Sequence, residues 1–212
     1  GRAVGADTLQ GGAGDDVFTV AGAGSVDLNG QDFVGIDALS GLGGADDFDL
    51  NGNFGGDVDG DAGTDEFLDD ATQSGVLDGG EDSDTFVVGA AATLPGAGVR
   101  LTGGVDAAGN DSDTLNVAAN GAALTVSLDT SVANEGFSGT EAAVFEDGGT
   151  FAAIDNIVGS ADTLQGRTVA STWTQAAYSD GAETLTFSGI ATAEGRAVGA
   201  DTLQGGAGDD VF

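Results

Sequence analysis

The sequence predicts an all-β fold made of stacked coils, and three observations carry that prediction. The 212-residue chain has 40 glycines, one proline and 40% hydrophobic residues, which suits dense turns between short strands better than collagen or disorder. Apolar and polar residues alternate with a period of two in several segments. Short Gly-Asp phrases recur at regular spacing, as is typical of repeat architectures.

The first element is a nine-residue phrase, GGxGxDxUx, in which U is a large apolar residue. Residues 11–19 fit it throughout, and Asp7 with Leu9 fits its second half nine residues earlier. The double phrase returns 30 residues later around Asp37 and Asp46. Such phrases predict a tight turn that leads into a short strand with its apolar residue pointing inward.

Later phrases are single and are spaced by 19 residues. The step is the same from Gly44 to Gly63 and from Gly63 to Asp82, and a looser phrase ends at Asp113 and Leu115. One coil of a two- or three-sided β-solenoid needs a step of this size, because each side is a short strand. We therefore expect about 19–20 residues per coil.

The remaining segments are predicted to form the wall of the same solenoid. Residues 124–128 and 184–187 alternate apolar and polar side chains, the period of a strand with one buried face. No segment has the 3.6-residue apolar period of a helix. Trp173 and Tyr178 are the large amphipathic aromatic residues, for which we expect edge packing, with a sugar platform or a contact between filaments as the alternative.

The U position of the phrase is phenylalanine four times. Side chains at the same motif position of stacked coils lie above one another, so we expect an internal ladder of aromatic rings along the solenoid axis. Its members are Phe18, Phe48, Phe67 and Phe86.

The nonapeptides resemble the calcium-binding repeats of the RTX (repeats-in-toxin, hemolysin-type) proteins. The phrasing of residues 161–164, 171–173, 187–189 and 205–210 resembles the giant repetitive β-strand surface and adhesin proteins of bacteria. The resemblance implies a right-handed parallel β-solenoid, similar to a β-roll or β-helix, with calcium in its turns. RTX arrays run on without pause, whereas no run here exceeds two phrases, so a solenoid with interspersed calcium turns fits better than a continuous roll.

The phrase has chemistry that suits calcium. Its glycines allow backbone conformations in which carbonyl oxygens converge, and its aspartate adds a hard anionic oxygen to the six to eight that Ca²⁺ takes. One turn offers too few ligands, so stacked turns would share ions. The alternative is that these aspartates cap Gly-rich turns through Asx hydrogen bonds. The predicted ligands are Asp7, Asp16, Asp37, Asp46, Asp65, Asp84, Asp113, Asp201 and Asp210.

Residues 195–212 repeat residues 1–18 without a single change. The sequence therefore predicts one full tandem unit, residues 1–194, followed by the start of the next identical unit in residues 195–212. Fibres, adhesins and surface coats use head-to-tail copies, because repetition gives them length or several binding sites. At 19–20 residues per coil, a unit would hold about ten coils and lengthen the rod by about 5 nm.

Charge and composition exclude several classes of function. The chain carries 36 acidic residues against four arginines, a net charge of -32, so it needs divalent cations or a very salty medium, and it repels nucleic acid and anionic membranes. It has no cysteine or histidine, which excludes disulfides, thiol nucleophiles and a Ser-His-Asp triad. No apolar run reaches the roughly 18 residues of a membrane span. We expect neither an enzyme nor membrane insertion.

Together these features predict a structural repeat of a giant secreted or cell-surface bacterial protein. It would form an extracellular fibre or adhesin shaft, would fold in response to calcium, and would have adjacent repeats or neighbouring filaments as partners. The alternatives are a surface-layer protein or a glycan- or ice-binding adhesin module. An accessory module of a secreted enzyme is a third alternative, against which the tandem copy argues.

Overall fold

The chain is all-β in the computed structural model, which describes residues 5–22, 24–105, 111–196 and 200–204. The described residues form twenty strands in one large, mostly parallel sheet that does not close on itself. Their helical content is limited to two 3-10 turns, Ala118–Asn120 and Glu146–Gly148. The prediction of an all-β fold is confirmed.

The strands are short because Gly-Asp turns interrupt the apolar alternation every few residues. They are β1 (Thr8–Gln10), β2 (Val17–Gly22), β3 (Ser25–Leu28), β4 (Gln31–Val34), β5 (Ala38–Ser40), β6 (Asp47–Leu50), β7 (Val58–Asp59), β8 (Glu66–Asp69), β9 (Leu77–Gly80), β10 (Thr85–Val88), β11 (Gly98–Gly104), β12 (Thr114–Asn116), β13 (Thr125–Val132), β14 (Gly136–Thr140), β15 (Gly149–Ile154), β16 (Asn156–Gln165), β17 (Thr172–Trp173), β18 (Ala177–Ser179), β19 (Thr184–Glu194) and β20 (Thr202–Leu203).

Parallel pairing sets the strands of successive levels beside one another in two main series. The phenylalanine column consists of β2, β6, β8, β10, β12, β16 and β19. The leucine column consists of β1, β5, β7, β9, β11 and β15. The chain passes from each strand of the leucine column to the next strand of the phenylalanine column, so every level except that of β19 contributes one strand to each column.

The register of the phenylalanine column gives the number of residues between levels. Phe48 pairs with Phe67, and Phe67 pairs with Phe86, so the offset is 19 residues at both steps. The other offsets in this column are longer, from 29 to 42 residues. The predicted uniform step of 19–20 residues is therefore not confirmed.

Antiparallel hairpins lie within three of the four longer offsets, and the 29-residue offset from Phe86 to Leu115 contains β11 with its flanking loops instead. β3 and β4 form a hairpin beside β2, closed by Asn29 and Gly30 with φ of 53° and 85°, the Asn-Gly pair that two-residue hairpin turns favour. β13, β14 and β15 pair antiparallel in succession, and so do β17, β18 and β19. The wall predicted from residues 124–128 and 184–187 is thus made of strands, but part of it is antiparallel.

The predicted phenylalanine ladder is present in the core. The ring centroids of Phe18 and Phe48, of Phe48 and Phe67, and of Phe67 and Phe86 lie 4.8, 4.8 and 4.7 Å apart, with interplanar angles of 12°, 15° and 20°. All four rings are buried. In-register parallel strands are spaced by about 4.8 Å, so identical side chains stack, and a slip of one residue would turn every ring outward.

The two large amphipathic aromatic residues also belong to the core. Trp173 and Tyr178 are buried, and their rings meet edge to face at a centroid distance of 4.6 Å. Both residues thus lie within the core cluster. Because both rings are covered, neither forms an exposed platform for a sugar.

Gly63 occupies a position that a side chain cannot enter. Its φ is 135°, and a Cβ there would overlap the carbonyl oxygen of Gly44 on the neighbouring level. We expect Gly63→Ala to cost about 1–3 kcal/mol from backbone strain alone and to lower the Tm by about 5 °C or more. Gly55→Ala is the matched control, because a Cβ at Gly55 has nothing within 4 Å. Thermal unfolding followed by circular dichroism checks this, and equal Tm values for the two variants would contradict it.

Candidate metal centre

Five of the predicted calcium ligands lie in one line along the phenylalanine column. Each stands two residues before the inward apolar residue of its level, and the register brings them together with a sixth, unpredicted aspartate. Asp46, Asp65, Asp84 and Asp113 are at most 2% exposed. We call the set the aspartate ladder: Asp16, Asp46, Asp65, Asp84, Asp113 and Asp155.

Every ladder carboxylate after Asp16 accepts a hydrogen bond from the backbone of the neighbouring level. The N–H of Asp46 donates to Oδ1 of Asp65 at 2.7 Å, and the N–H of Asp65 donates to Oδ1 of Asp84 at 2.8 Å. The same bond recurs at every level from Asp16 to Asp155. These five side chains therefore cap the strand of another level, whereas Oδ2 of Asp16 accepts the N–H of Gly12 in its own Gly-rich turn, as in the turn-capping alternative.

The second oxygen of three ladder carboxylates lacks a hydrogen-bond partner. The Oδ2 atoms of Asp46, Asp65 and Asp84 are buried and unpaired. A Cβ at Gly60 would overlap both Oδ2 of Asp65 and the carbonyl oxygen of Gly79 on the next level, and the arrangement recurs at the two neighbouring levels. The glycines thus leave space in which a carboxylate oxygen and a backbone carbonyl oxygen lie close together.

Burial raises the pKa of the ladder carboxyls Asp46, Asp65, Asp84, Asp113 and Asp155. The pKa rises to about 7 for Asp65, about 8 for Asp84 and about 7 for Asp113, chiefly because burial removes water, and the backbone hydrogen bond offsets part of that rise. Neighbouring aspartates raise the pKa further. Burying a carboxylate without a counter-charge is costly, so each buried level needs a proton or a cation.

Three of the other predicted ligands lie outside the ladder, and one cannot be placed. The N–H of Asp7 donates to Oδ2 of Asp37 at 3.0 Å, which repeats the cross-level bond in the leucine column. Oδ1 of Asp201 accepts a hydrogen bond from Oγ of Ser171 at 2.6 Å. Asp210 lies outside the described residues. The prediction therefore separates into a line of five carboxylates, four of them buried, and three carboxylates beside the leucine column and β17.

Sequence reasoning missed two aspartates with the same role. Oδ2 of Asp155 accepts the N–H of Asp113 at 3.2 Å. Oδ1 of the fully buried Asp162 accepts the N–H of Leu124 at 2.9 Å. Both precede an inward apolar residue by two positions but lack the glycines of the nonapeptide. The shorter pattern Asp-x-U, applied without the glycines, could have found them.

A further buried carboxyl, Asp69, pairs with an amide. Its Oδ1 accepts hydrogen bonds from the N–H of Ala71 and from Nε2 of Gln73, both at 3.2 Å. Oδ2 of Asp69 and Oε1 of Gln73 are buried without partners, and burial raises the pKa of Asp69 to about 7. A neutral carboxyl has a hydroxyl that can donate to an amide oxygen, so protonation supplies the donor that this pair lacks.

Each of the middle levels of the ladder offers two of the six to eight oxygen ligands that calcium takes. Within residues 5–22, 24–105, 111–196 and 200–204, no three acidic side chains form a cluster that could hold a metal ion by themselves. The ladder instead offers a free carboxylate oxygen beside a backbone carbonyl oxygen, at Asp65 with Gly79 and at Asp84 with Gly103. Calcium takes oxygen ligands of both kinds, so these residues would hold the ion.

Comparison with known proteins adds no further assignment. No protein-family model, curated protein or solved structure matches the chain. Among the helices of the described residues, none has the length and apolar character needed to cross a membrane.

Proposed function

We propose that the chain is the repeating shaft of a giant secreted or cell-surface protein, an extracellular fibre or adhesin stalk without enzymatic activity. One observation carries the proposal. A strand that occurs in both copies of the repeated segment pairs through opposite edges in the two places, so that copies can continue one stack.

The repeated strand is β1 in the first copy and β20 in the second. Residues 202–204 have the same sequence as residues 8–10. β1 pairs in parallel with β5, which belongs to the next level of the same unit. β20 pairs in parallel with β17, which belongs to the end of the preceding unit. The same three residues therefore contact the level above in one copy and the level below in the other.

The hydrogen bonds support the use of opposite edges. In the second copy, the N–H of Thr202 donates to the carbonyl oxygen of Ser171 at 2.8 Å. In the first copy, the N–H of Gly11 donates to the carbonyl oxygen of Ser40 at 2.9 Å. Gly11 lies three residues after Thr8, which is the equivalent of Thr202. Successive residues of a strand direct their N–H groups to alternate edges, so one strand can make both sets of bonds.

Copies stacked in this way form a continuous solenoid, right-handed like nearly all parallel crossover connections. Leu9 is 8% exposed, whereas its equivalent Leu203 is 56% exposed, and the next level of a following copy would cover it. The phenylalanine column has seven strands among the described residues. Seven levels of about 4.8 Å lengthen the shaft by about 3.4 nm per unit, in place of the ten coils and 5 nm of a uniform step.

Calcium would control when this shaft folds. In a compartment poor in calcium, the buried aspartate ladder and the net charge of -32 oppose folding, which lowers the stability of the fold before secretion. Outside the cell, sites with dissociation constants of about 10⁻⁴–10⁻³ M fill at millimolar calcium. Each filled site adds stability by mass action, and the ion supplies positive charge beside the free carboxylate oxygens.

The outward face gives less support to a glycan- or ice-binding module. The position before the ladder phenylalanine carries Val17, Asp47, Glu66 and Thr85 at successive levels. A flat recognition surface for a regular ligand needs one kind of side chain repeated in register. The inner face repeats in that way and the outer face does not, which favours a structural shaft.

A calcium titration tests the proposal. We expect the Tm and the β signal in circular dichroism to rise when calcium replaces EDTA, and to rise less with magnesium or with sodium chloride of equal ionic strength. Asp65→Asn should reduce the calcium-induced shift, whereas the exposed Asp47→Asn should leave it unchanged. If every salt stabilises the protein equally, the turns do not bind calcium and the control of folding by calcium is wrong.

A further inference from the structure

The buried carboxylates of the chain fall into two groups that differ in their hydrogen-bond partners. Among the described residues, fully buried carboxylate oxygens without a partner occur only in Asp46, Asp65, Asp69 and Asp84. All four residues lie in residues 37–113, which we call the ladder segment. The ladder segment has 18 acidic residues, whereas residues 114–190, which have the same length and which we call the paired segment, have nine.

The buried carboxylates of the paired segment are held by donors of the same segment. Asp162 is fully buried, and its Oδ1 and Oδ2 accept the N–H groups of Leu124 and Ser160 at 2.9 and 2.6 Å. Oε2 of the buried Glu141 accepts two nearby N–H groups at 2.8 and 2.9 Å. Because hydrogen bonds to the ionised form stabilise its charge, these carboxylates need neither a proton nor a cation.

Asp180 adds an ion pair to the same segment. Its side chain is 1% exposed and contacts Nη1 of Arg167, and its Oδ2 also accepts the hydroxyl of Ser131 at 2.7 Å. Its Oδ1 accepts the N–H groups of Ala182 and Glu183, both at 3.0 Å. Burial alone would raise the pKa of Asp180, but these bonds outweigh burial and lower the pKa to about 2. The protein itself therefore supplies the positive charge and the donors that this carboxylate needs.

The two segments also differ in how their strands pair. In the paired segment, strands that follow one another in the chain pair antiparallel: β13 with β14, β14 with β15, β17 with β18, and β18 with β19. The described strands of the ladder segment, β5 to β11, pair only in parallel. Parallel pairing joins residues 19 or more positions apart, and such non-local contacts form slowly. The ladder segment therefore gains most from a partner strand that is already in place.

We infer that the paired segment keeps its fold without calcium and is the template on which the ladder segment folds when calcium binds. This rests on the proposed control of folding by calcium. The template consists of two strand edges. β12 pairs with β10, with Leu115 in register with Phe86, and β15 pairs with β11, with Phe151 in register with Leu101. Each further level then adds to a folded neighbour, as in repeat proteins that fold by propagation, from the β10 level toward the β6 level.

Hydrogen exchange followed by mass spectrometry tests the inference on the full chain. In EDTA at pH 8, relative to the unfolded chain, we expect the paired segment to exchange at least about tenfold more slowly than the ladder segment. Millimolar calcium should slow exchange of the ladder segment by at least about tenfold and change the paired segment much less.

The exchange rates separate this inference from the proposed function. If the two segments exchange equally in EDTA and calcium slows both alike, the inference is wrong and the control of folding by calcium stands. If calcium slows exchange in neither segment, the proposed control by calcium is wrong, and the inference that rests on it is wrong too.

Two matched substitutions test the direction of folding. Phe67 in the ladder segment and Phe137 in the paired segment are both fully buried, and the ring of Phe137 contacts Tyr178 at a centroid distance of 5.6 Å. In millimolar calcium, Phe67→Ala should speed exchange in the ladder segment only, whereas Phe137→Ala should speed it in both segments. The milder Phe137→Leu should act in the same direction if Phe137→Ala does not fold. Faster exchange confined to the paired segment in the Phe137 variants would show that the ladder segment folds without the template, and the inference would be wrong.

Discussion

In EDTA, the protein unfolds at a lower temperature at pH 8 than at pH 5. Burial raises the pKa of Asp65, Asp69, Asp84 and Asp113 from 3.8 to about 7, 7, 8 and 7 in the folded state. A carboxyl with a raised folded pKa stabilises the fold fully below its unfolded pKa, and this stabilisation is lost as the pH rises through the folded pKa. The window of loss therefore runs from about pH 4 to pH 8.

The expected effect is large because several groups titrate together. Each unit of pKa difference corresponds to about 1.4 kcal/mol, so we expect the free energy of unfolding to fall by at least about 3 kcal/mol between pH 5 and pH 8. If calcium binds as proposed, millimolar calcium should remove most of this fall, since the bound ion would take the place of the proton at the free carboxylate oxygens. Urea unfolding at pH 5, 6, 7 and 8, with and without calcium, measures both effects.

Asp69→Asn isolates one group outside the ladder. Asparagine has an NH₂ group that can donate to Oε1 of Gln73 at any pH, so the variant should be more stable than the unchanged protein at pH 8 and should show a shallower pH dependence. Asp47→Asn removes the same charge from an exposed position and should change neither property. A free energy of unfolding that rises with pH in EDTA would contradict the account of buried neutral carboxyls.

Phe67→Ala is expected to be the most destabilising single substitution in the core. Phe67 is fully buried and stacks on both Phe48 and Phe86 at 4.8 and 4.7 Å. Removal of a buried phenylalanine ring costs about 3–5 kcal/mol, and here it also interrupts the ladder on both sides. Phe67→Leu, which keeps most of the volume, should cost roughly 1–2 kcal/mol.

Phe33→Ala is the control for that substitution. Phe33 is partly buried in the β4 strand of the first hairpin and pairs with Val26 outside the ladder. Phe33→Ala should lower the free energy of unfolding clearly less than Phe67→Ala does. Urea unfolding of Phe33→Ala, Phe67→Ala and Phe67→Leu gives the comparison. A similar cost for Phe33→Ala and Phe67→Ala would mean that the ladder adds nothing beyond ordinary burial.

Repeated sequence patterns made the phenylalanine ladder and most of the aspartate ladder predictable. The phenylalanines could be identified because Asp-x-Phe recurs at 19-residue intervals around Phe48, Phe67 and Phe86, and the in-register pairing of parallel strands follows from that spacing. The line of aspartates could be predicted for the same reason. The hydrogen bonds of the aspartates could not be predicted, because they join residues 19 or more positions apart and depend on the register of the strands.

The antiparallel hairpins and the side-chain pair of Asp69 and Gln73 could not be predicted from local sequence patterns. Asn29-Gly30 is a hairpin signal, but a regular solenoid step left no place for a hairpin there. The pairing of Asp69 with Gln73 belongs to no repeated motif, because it depends on how the chain bends after β8. The 42-residue offset between Leu115 and Ile157 arises from inserted antiparallel strands, whose pairing is non-local.

The most direct test of the account is the length of tandem chains. Chains with one, two and four copies of the 194-residue unit would be measured by small-angle X-ray scattering and electron microscopy in millimolar calcium. A continuous solenoid predicts that the maximum dimension grows by about 3.4 nm per unit while the cross-section stays constant. Growth close to the square root of the number of units, as for separate domains on flexible linkers, would contradict it.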